Sequence, residues 1–231
     1  MHMMMMSGKP APGEYNMLEV KGHNVIVGID RSGSMDTRDC DGQTRFEFLG
    51  EKLSAFVADA VTSANGNKVI GIFFNSGQHE EVFLSADDVK KYMSKYKPGG
   101  STNTAGAIND AFSLSQKLTG PSMLFLVTDG EPDDQVAVDK AIVGITQKVA
   151  NPEDFRIMIL TVGKRNDALQ AWLGHLDDDL GDEGAKYDIV GLNNLQEIDF
   201  REAAAELIAS TTTNDEAAAG VTGGKTTARI D

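Results

Sequence analysis

Apolar runs of strand length alternate along most of this chain with stretches whose apolar residues recur at helical spacing. NVIVGI (Asn24 to Ile29) is followed by RFEFLGEKLSAFVADAV from Arg45, which places Phe46, Leu49, Leu53, Phe56, Val57 and Ala60 on one helical face. KVIGIFFN from Lys68 reads as a second strand, and GQHEEVFLS follows closely enough to pair with it as an antiparallel hairpin. ADDVKKYMSKY reads as a short helix opened by Asp87 and Asp88, and PGGSTNT interrupts it. A helix over Thr104 to Leu118, the strand SMLFLVTD and a helix from Asp133, N-capped by Asp133 or Asp134, come next. The strand FRIMILTVG, the helix NDALQAWLGHL, the strand YDIVGL and a closing helix over Asn194 to Ser210 complete the series. Strands that are apolar throughout and alternate with helices are covered on both faces. The expected fold is therefore α/β and doubly wound: a mostly parallel six-stranded sheet, one antiparallel edge strand, and helices on both faces.

Residues 1–19 are rich in Met, Pro and Gly without periodicity and are expected to form a flexible N-terminal arm. Residues 20–210 form the folded domain, and 211–231, rich in Thr, Ala and Gly, a disordered tail. GGKT in that tail is one residue short of a phosphate-binding loop and lacks the strand before and the helix after it.

Composition narrows the partners. Lysine and arginine number 21 against 35 aspartates and glutamates, and the formal charge of −14 disfavours nucleic acid and anionic membranes. No apolar run approaches the roughly 20 residues of a membrane helix, and MHMMMMSGKP lacks the features of a signal peptide. A cytoplasmic location is expected, or one within a virion or other particle. Cys40 is the single cysteine and lies between Asp39 and Asp41, which raises a thiol pKa, so a redox role is not expected.

The candidate chemistry lies at strand ends, where open parallel sheets collect ligands. The first strand ends in Asp30-Arg31-Ser32-Gly33-Ser34 and the fourth in Thr128-Asp129-Gly130, while the loop before the third long helix carries GGSTNT. These loops offer oxygen donors without histidine or cysteine, the donor set of a hard cation; the small number of carboxylates favours Mg²⁺ over a Ca²⁺ cage. Such an ion would compensate Asp30 at the end of a buried strand, while alternation turns the Ser32 and Ser34 hydroxyls to one side and Gly33 permits the tight turn.

Asp30-x-Ser32-x-Ser34, Thr102 within GGSTNT and Asp129 within VTDGEPDD resemble, in order and context, the metal-ion-dependent adhesion site of von Willebrand factor A domains. The resemblance covers about Gly22 to Ser210. It implies that Ser32 and Ser34 coordinate a divalent ion directly, that Thr102 does so in the ligand-bound state, and that Asp30 and Asp129 act directly or through water. Ser101 and Thr104 are alternatives to Thr102 in the same loop. It further implies Mg²⁺, with Mn²⁺ or Ca²⁺ as substitutes, and a protein partner whose Asp or Glu carboxylate completes the shell while the last helix shifts. A structural or assembly role, in a phage or other large particle or as an adaptor of an AAA-type ATPase, is the second expectation.

Enzymatic readings lack their residues. Ser32 stands where a D-x-D phosphatase needs its second aspartate, and D-R-S-G-S is no G-x-S-x-G elbow. His23, His79 and His175 are scattered and read as packing or surface residues, with His2 in the arm. Glu131, Asp133 and Asp134 read as a solvated helix start, and Asp177, Asp178, Asp179, Asp182 and Glu183 as a solvated acidic loop. Asp36, Arg38, Asp39, Asp41 and Arg45 are expected at the mouth of the site, either contributing to partner choice or pairing among themselves at the surface.

Overall fold

The computed structural model describes residues 20–130, 132–164 and 167–209, so the expected arm and tail lie outside the described residues. Six strands form one sheet: β1 (Asn24–Asp30), β2 (Val69–Phe74), β3 (Gln78–Phe83), β4 (Ser122–Thr128), β5 (Phe155–Thr161) and β6 (Val190–Asn194). Their order is β3-β2-β1-β4-β5-β6. Every neighbouring pair is parallel except β2 and β3, which pair antiparallel from Val69↔Phe83 to Phe74↔Gln78. The doubly wound sheet with one antiparallel edge strand is thus as the apolar pattern predicts.

Alternation along the strands divides the core between two faces. Val25, Val27 and Ile29 of β1, with Phe73, Phe125 and Leu160, pack against Leu49, Leu53 and Phe56 of α1 (Arg45–Ala60). Val89 and Met93 of α2 (Ala86–Lys95) and Phe200 and Leu207 of α6 (200–209) join the same face. On the opposite face Ile26, Phe74, Leu124, Leu126 and Ile157 meet Ile108 of α3 (Thr104–Ser115), Ile142 of α4 (Gln135–Thr146) and Leu173 of α5 (Asp167–Asp178). Both faces are buried, which is why β1 and β4 carry no polar residue between their first residue and their ends.

Local chemistry fixes the helix starts. Thr44 and Glu47 form a capping box at α1, Asn103 accepts from the Gly106 amide at α3, and Asp134 accepts from the Ala137 amide at α4. Several boundaries differ from expectation, among them the start of β6, at Val190 rather than Tyr187. The third helix stops at Ser115 rather than Leu118. The closing helix starts at residue 200 rather than at Asn194, which belongs to β6. Asp199 ends the intervening turn by accepting from the Arg201 and Glu202 amides, a stronger start signal than the apolar spacing that precedes it.

Candidate functional site

β1 and β4 are adjacent, and the chain leaves them in opposite directions across the sheet, so their carboxyl ends mark the switch point. Asp30 closes β1 and is fully buried. Its Oδ1 accepts from the Ser32 amide at 2.7 Å and its Oδ2 from Thr128 Oγ1 at 2.7 Å. Burial pushes its pKa up to about 6; the bonds from Thr128 and Ser32 oppose the shift, and the charge of Asp129 adds to it.

After Ser32 the backbone turns instead of continuing extended: Gly33–Asp36 form a 3₁₀ turn. The two serine hydroxyls do meet, with Ser32 Oγ and Ser34 Oγ 3.0 Å apart, but the turn brings them together, not strand alternation. Nor is Gly33 required by its backbone. It lacks a positive φ, and a Cβ there would meet Gly100 O at an ordinary 3.8 Å.

Ser34 Oγ donates to Asp129 Oδ1 at 2.8 Å. Asp129 Oδ1, Ser34 Oγ and Ser32 Oγ therefore run in sequence at 2.8 and 3.0 Å. Adjacent ligands on an octahedral Mg²⁺ with bonds of about 2.1 Å are about 3.0 Å apart, so these three oxygens already have the spacing of one face edge to the next. Asp30 Oδ1 and Oδ2 accept from the Ser32 amide and Thr128 Oγ1, and each carboxylate oxygen has a second lone pair. By donor type and spacing, the residues fit a hard divalent ion.

Thr102 is held by its backbone to Asp133 and not to these four residues. Its amide donates to Asp133 Oδ1 at 3.0 Å and its carbonyl accepts from the Asp133 amide at 3.0 Å, so Asp133 clasps it from the loop after β4. Its hydroxyl is not hydrogen-bonded to Asp30, Ser32, Ser34 or Asp129. Thr104, the alternative in the same loop, is buried as the first residue of α3 with Oγ1 lacking a hydrogen-bond partner.

Two residues outside the expected set hold the loops. Asn75, just past β2, donates to Gly99 O at 2.6 Å, accepts from Arg31 at 3.0 Å and receives the Asn103 amide on its carbonyl at 3.0 Å. Gly100 has φ +84°, and a Cβ there would lie 2.9 Å from Asn75 Nδ2, so this position does need glycine. Gly33 N reaches Gly100 O at 3.1 Å, which ties the β1 loop to the loop bearing Thr102.

Arg45 is the larger surprise. Expected among exposed charges at the rim, it is nearly buried: it donates to Asp39 through Nε at 2.9 Å and Nη2 at 2.7 Å, and to Asp129 Oδ2 through Nη1 at 2.7 Å. The fork holds the Asp39 carboxyl below its usual pKa and raises that of the guanidinium itself. One Asp129 oxygen is thus committed to an arginine and the other faces the serines. The Cys40 thiol beside it is buried and its pKa is raised, by burial first and then by Asp39, as expected.

Residues 25–131 match the family model of the von Willebrand factor type A domain. The fold agrees. A von Willebrand factor type A protein from Catenulispora acidiphila superposes with a TM-score of 0.54 at 17% identity over 80% of this chain and 42% of the other. The vWF domain of the type V pili tip protein Mfa5 from Porphyromonas gingivalis gives 0.57 at 9% identity over 84% of this chain and 96% of the other. The pilus adhesin SpaC from Lactobacillus rhamnosus GG gives 0.56 at 14% identity over 84% and 30%. The chain spans less than half the length of the first three solved structures it matches: 42%, 20% and 46%. No curated protein sequence matches it significantly. No helix among the described residues is long and apolar enough to cross a membrane.

Proposed function

We propose that this chain is a von Willebrand factor type A domain that captures a protein partner through a Mg²⁺ ion held by Asp30, Ser32, Ser34, Thr102 and Asp129, and that it carries out no catalysis. Domains of this type generally serve as non-catalytic interaction or adhesion modules. The observation that carries the reading is the run of oxygens from Asp129 through Ser34 to Ser32 at 2.8 and 3.0 Å above the buried Asp30.

When bound, the ion would supply an electrophile able to accept a carboxylate oxygen from an Asp or Glu of the partner. The chain's own residues determine how electrophilic it stays. Three of the five donors are neutral hydroxyls, and Arg45 offsets the charge of Asp129. Asp30 orders the turn that carries Ser32, and Asp133 orders Thr102.

Capture experiments from cells of the native source test this. The wild type should recover a partner in Mg²⁺ and release it in chelator, whereas Asp30→Ala and Thr102→Ala should fail to recover it while remaining folded. Equal recovery in chelator by all three would refute the mechanism.

A second reading, an assembly component whose ion mainly stabilises the loops, is favoured by two neighbours of this fold being pilus proteins. It predicts loss of melting temperature without Mg²⁺ and unchanged association.

A further inference from the structure

A second group of metal-ligating side chains lies between α4 and α5. Asp139 belongs to the buried, otherwise mainly apolar face of α4, and its side chain is 10% exposed. Its Oδ1 accepts from Trp172 Nε1 at 3.3 Å. Its Oδ2 turns toward His175 Nε2 at 3.8 Å, too far for a hydrogen bond. The same Nε2 is 3.2 Å from Glu183 Oε1. Ligand atoms of Asp139, His175 and Glu183 all lie within 4.8 Å of one another.

The sequence gives no spacing motif for this trio, because α4, α5 and the turn after α5 each contribute one member. The turn is built to hold its member in place. Glu183 N bonds Leu180 O at 3.2 Å, Ala185 N bonds the same carbonyl at 3.0 Å, and Gln147 at the end of α4 donates to Gly184 O at 2.6 Å.

We propose that Asp139, His175 and Glu183 form a binding site for a divalent transition-metal ion of the Zn²⁺ type, with water as the fourth ligand. One imidazole and two carboxylates are a borderline donor set, suited to Zn²⁺ and less so to Mg²⁺. With bonds of about 2.0–2.2 Å, tetrahedral neighbours are separated by roughly 3.4 Å, and the observed 3.2 and 3.8 Å bracket that spacing. On its other side His175 Nδ1 lies 3.6 Å from Asp179 Oδ2, just beyond hydrogen-bond reach, where a small rotation of the ring would let this carboxylate orient a ligating imidazole. Helices α4 and α5 would be joined by the ion at the side of the sheet that carries Leu173 and Ile142.

The metal-free chain of residues 1–231 titrated with Co²⁺ alone, then with Zn²⁺, tests the site. One Co²⁺ per chain with the intense visible absorption of four-coordination is expected, displaced stoichiometrically by Zn²⁺. His175→Gln and Glu183→Gln should abolish that spectrum, Asp179→Asn should weaken binding about tenfold, and Asp30→Ala and His2→Ala should leave it unchanged. Because Asp30→Ala removes a ligand of the loop site, failure of one site is read separately from failure of the other. A weak octahedral spectrum alone, or binding indifferent to His175→Gln, overturns the proposal and leaves the trio as an ion pair. Should a variant not fold, nitrogen NMR of the unmodified chain decides: Zn²⁺ must shift the His175 Nε2 resonance, and no shift overturns the site.

Discussion

Replacing Asp30 by Asn should change the stability of this domain in opposite directions with and without Mg²⁺. In the metal-free protein the carboxyl is buried with a pKa near 6 against an ordinary 3.8, a rise of about two units. At about 1.4 kcal/mol per unit, the ionised carboxylate costs about 3 kcal/mol of folding stability above pH 6. The folded state holds the proton more tightly than the unfolded chain. Stability from this group is therefore complete below pH 4 and lost as the pH rises through 6. Asn keeps the shape: its oxygen can accept from the Ser32 amide, its amide can face Thr128 Oγ1, and that hydroxyl can turn to Gly130 O, 3.4 Å away. In chelator at pH 8, Asp30→Asn should melt roughly 6–12 °C above wild type, and the gap should close toward pH 4. Asp139, also raised, is common to both proteins and cancels in the difference. With Mg²⁺ the order should reverse, because the ion stabilises only a protein able to bind it. Calorimetry across pH 4–8 with and without Mg²⁺ measures both arms. A metal-free Asp30→Asn that melts at or below wild type at pH 8 would refute the reasoning.

Four further perturbations address the loops. Arg45→Met leaves the buried Asp129 carboxylate without its fork and should cost about 3–5 kcal/mol in chelator, partly restored by Mg²⁺, as followed by urea unfolding. Gly100→Ala meets both a φ of +84° and Asn75 Nδ2 at 2.9 Å, and should cost about 1 kcal/mol or more and weaken Mg²⁺ binding measured by titration calorimetry. Thr104→Val removes an orphaned buried hydroxyl and should be neutral or stabilising by about 1 kcal/mol in thermal melts, with Mg²⁺ binding intact. Thr102→Ala, by contrast, should weaken Mg²⁺ binding, which separates the two threonines of the loop.

The sheet was legible because β1, β4 and β5 are buried on both faces and so read as unbroken apolar runs, while the short, half-exposed β3 was legible through its hairpin spacing. Asp30, Ser32, Ser34 and Asp129 were legible as neighbours because adjacent parallel strands end side by side. What held them was not. Arg45 and Asp129 are 84 positions apart, Arg31 and Asn75 44 apart, and Asp133 reaches Thr102 across 31. Such contacts depend on which loop folds over which, and no local period encodes that. Arg45 in particular carries ordinary surface chemistry in sequence; only the burial of Asp129 makes it an interior counter-charge. The start of α6 was misplaced for a different reason: apolar spacing continues from Leu195, but the Asp199 carboxylate captures the first free amides and sets the boundary.

The edge strand β3 bears on how copies of this molecule behave when concentrated. Its six residues include the exposed Glu80 and the half-buried Glu81, which is tied down by Lys95 at the end of α2 and by Tyr96 just after it. Growth of the sheet into a neighbouring molecule through this rim would align acid against acid, on a chain already carrying fourteen excess negative charges. Crowding should therefore leave such molecules separate along this border, and brine or acid, which mutes that repulsion, should be where they begin to stack.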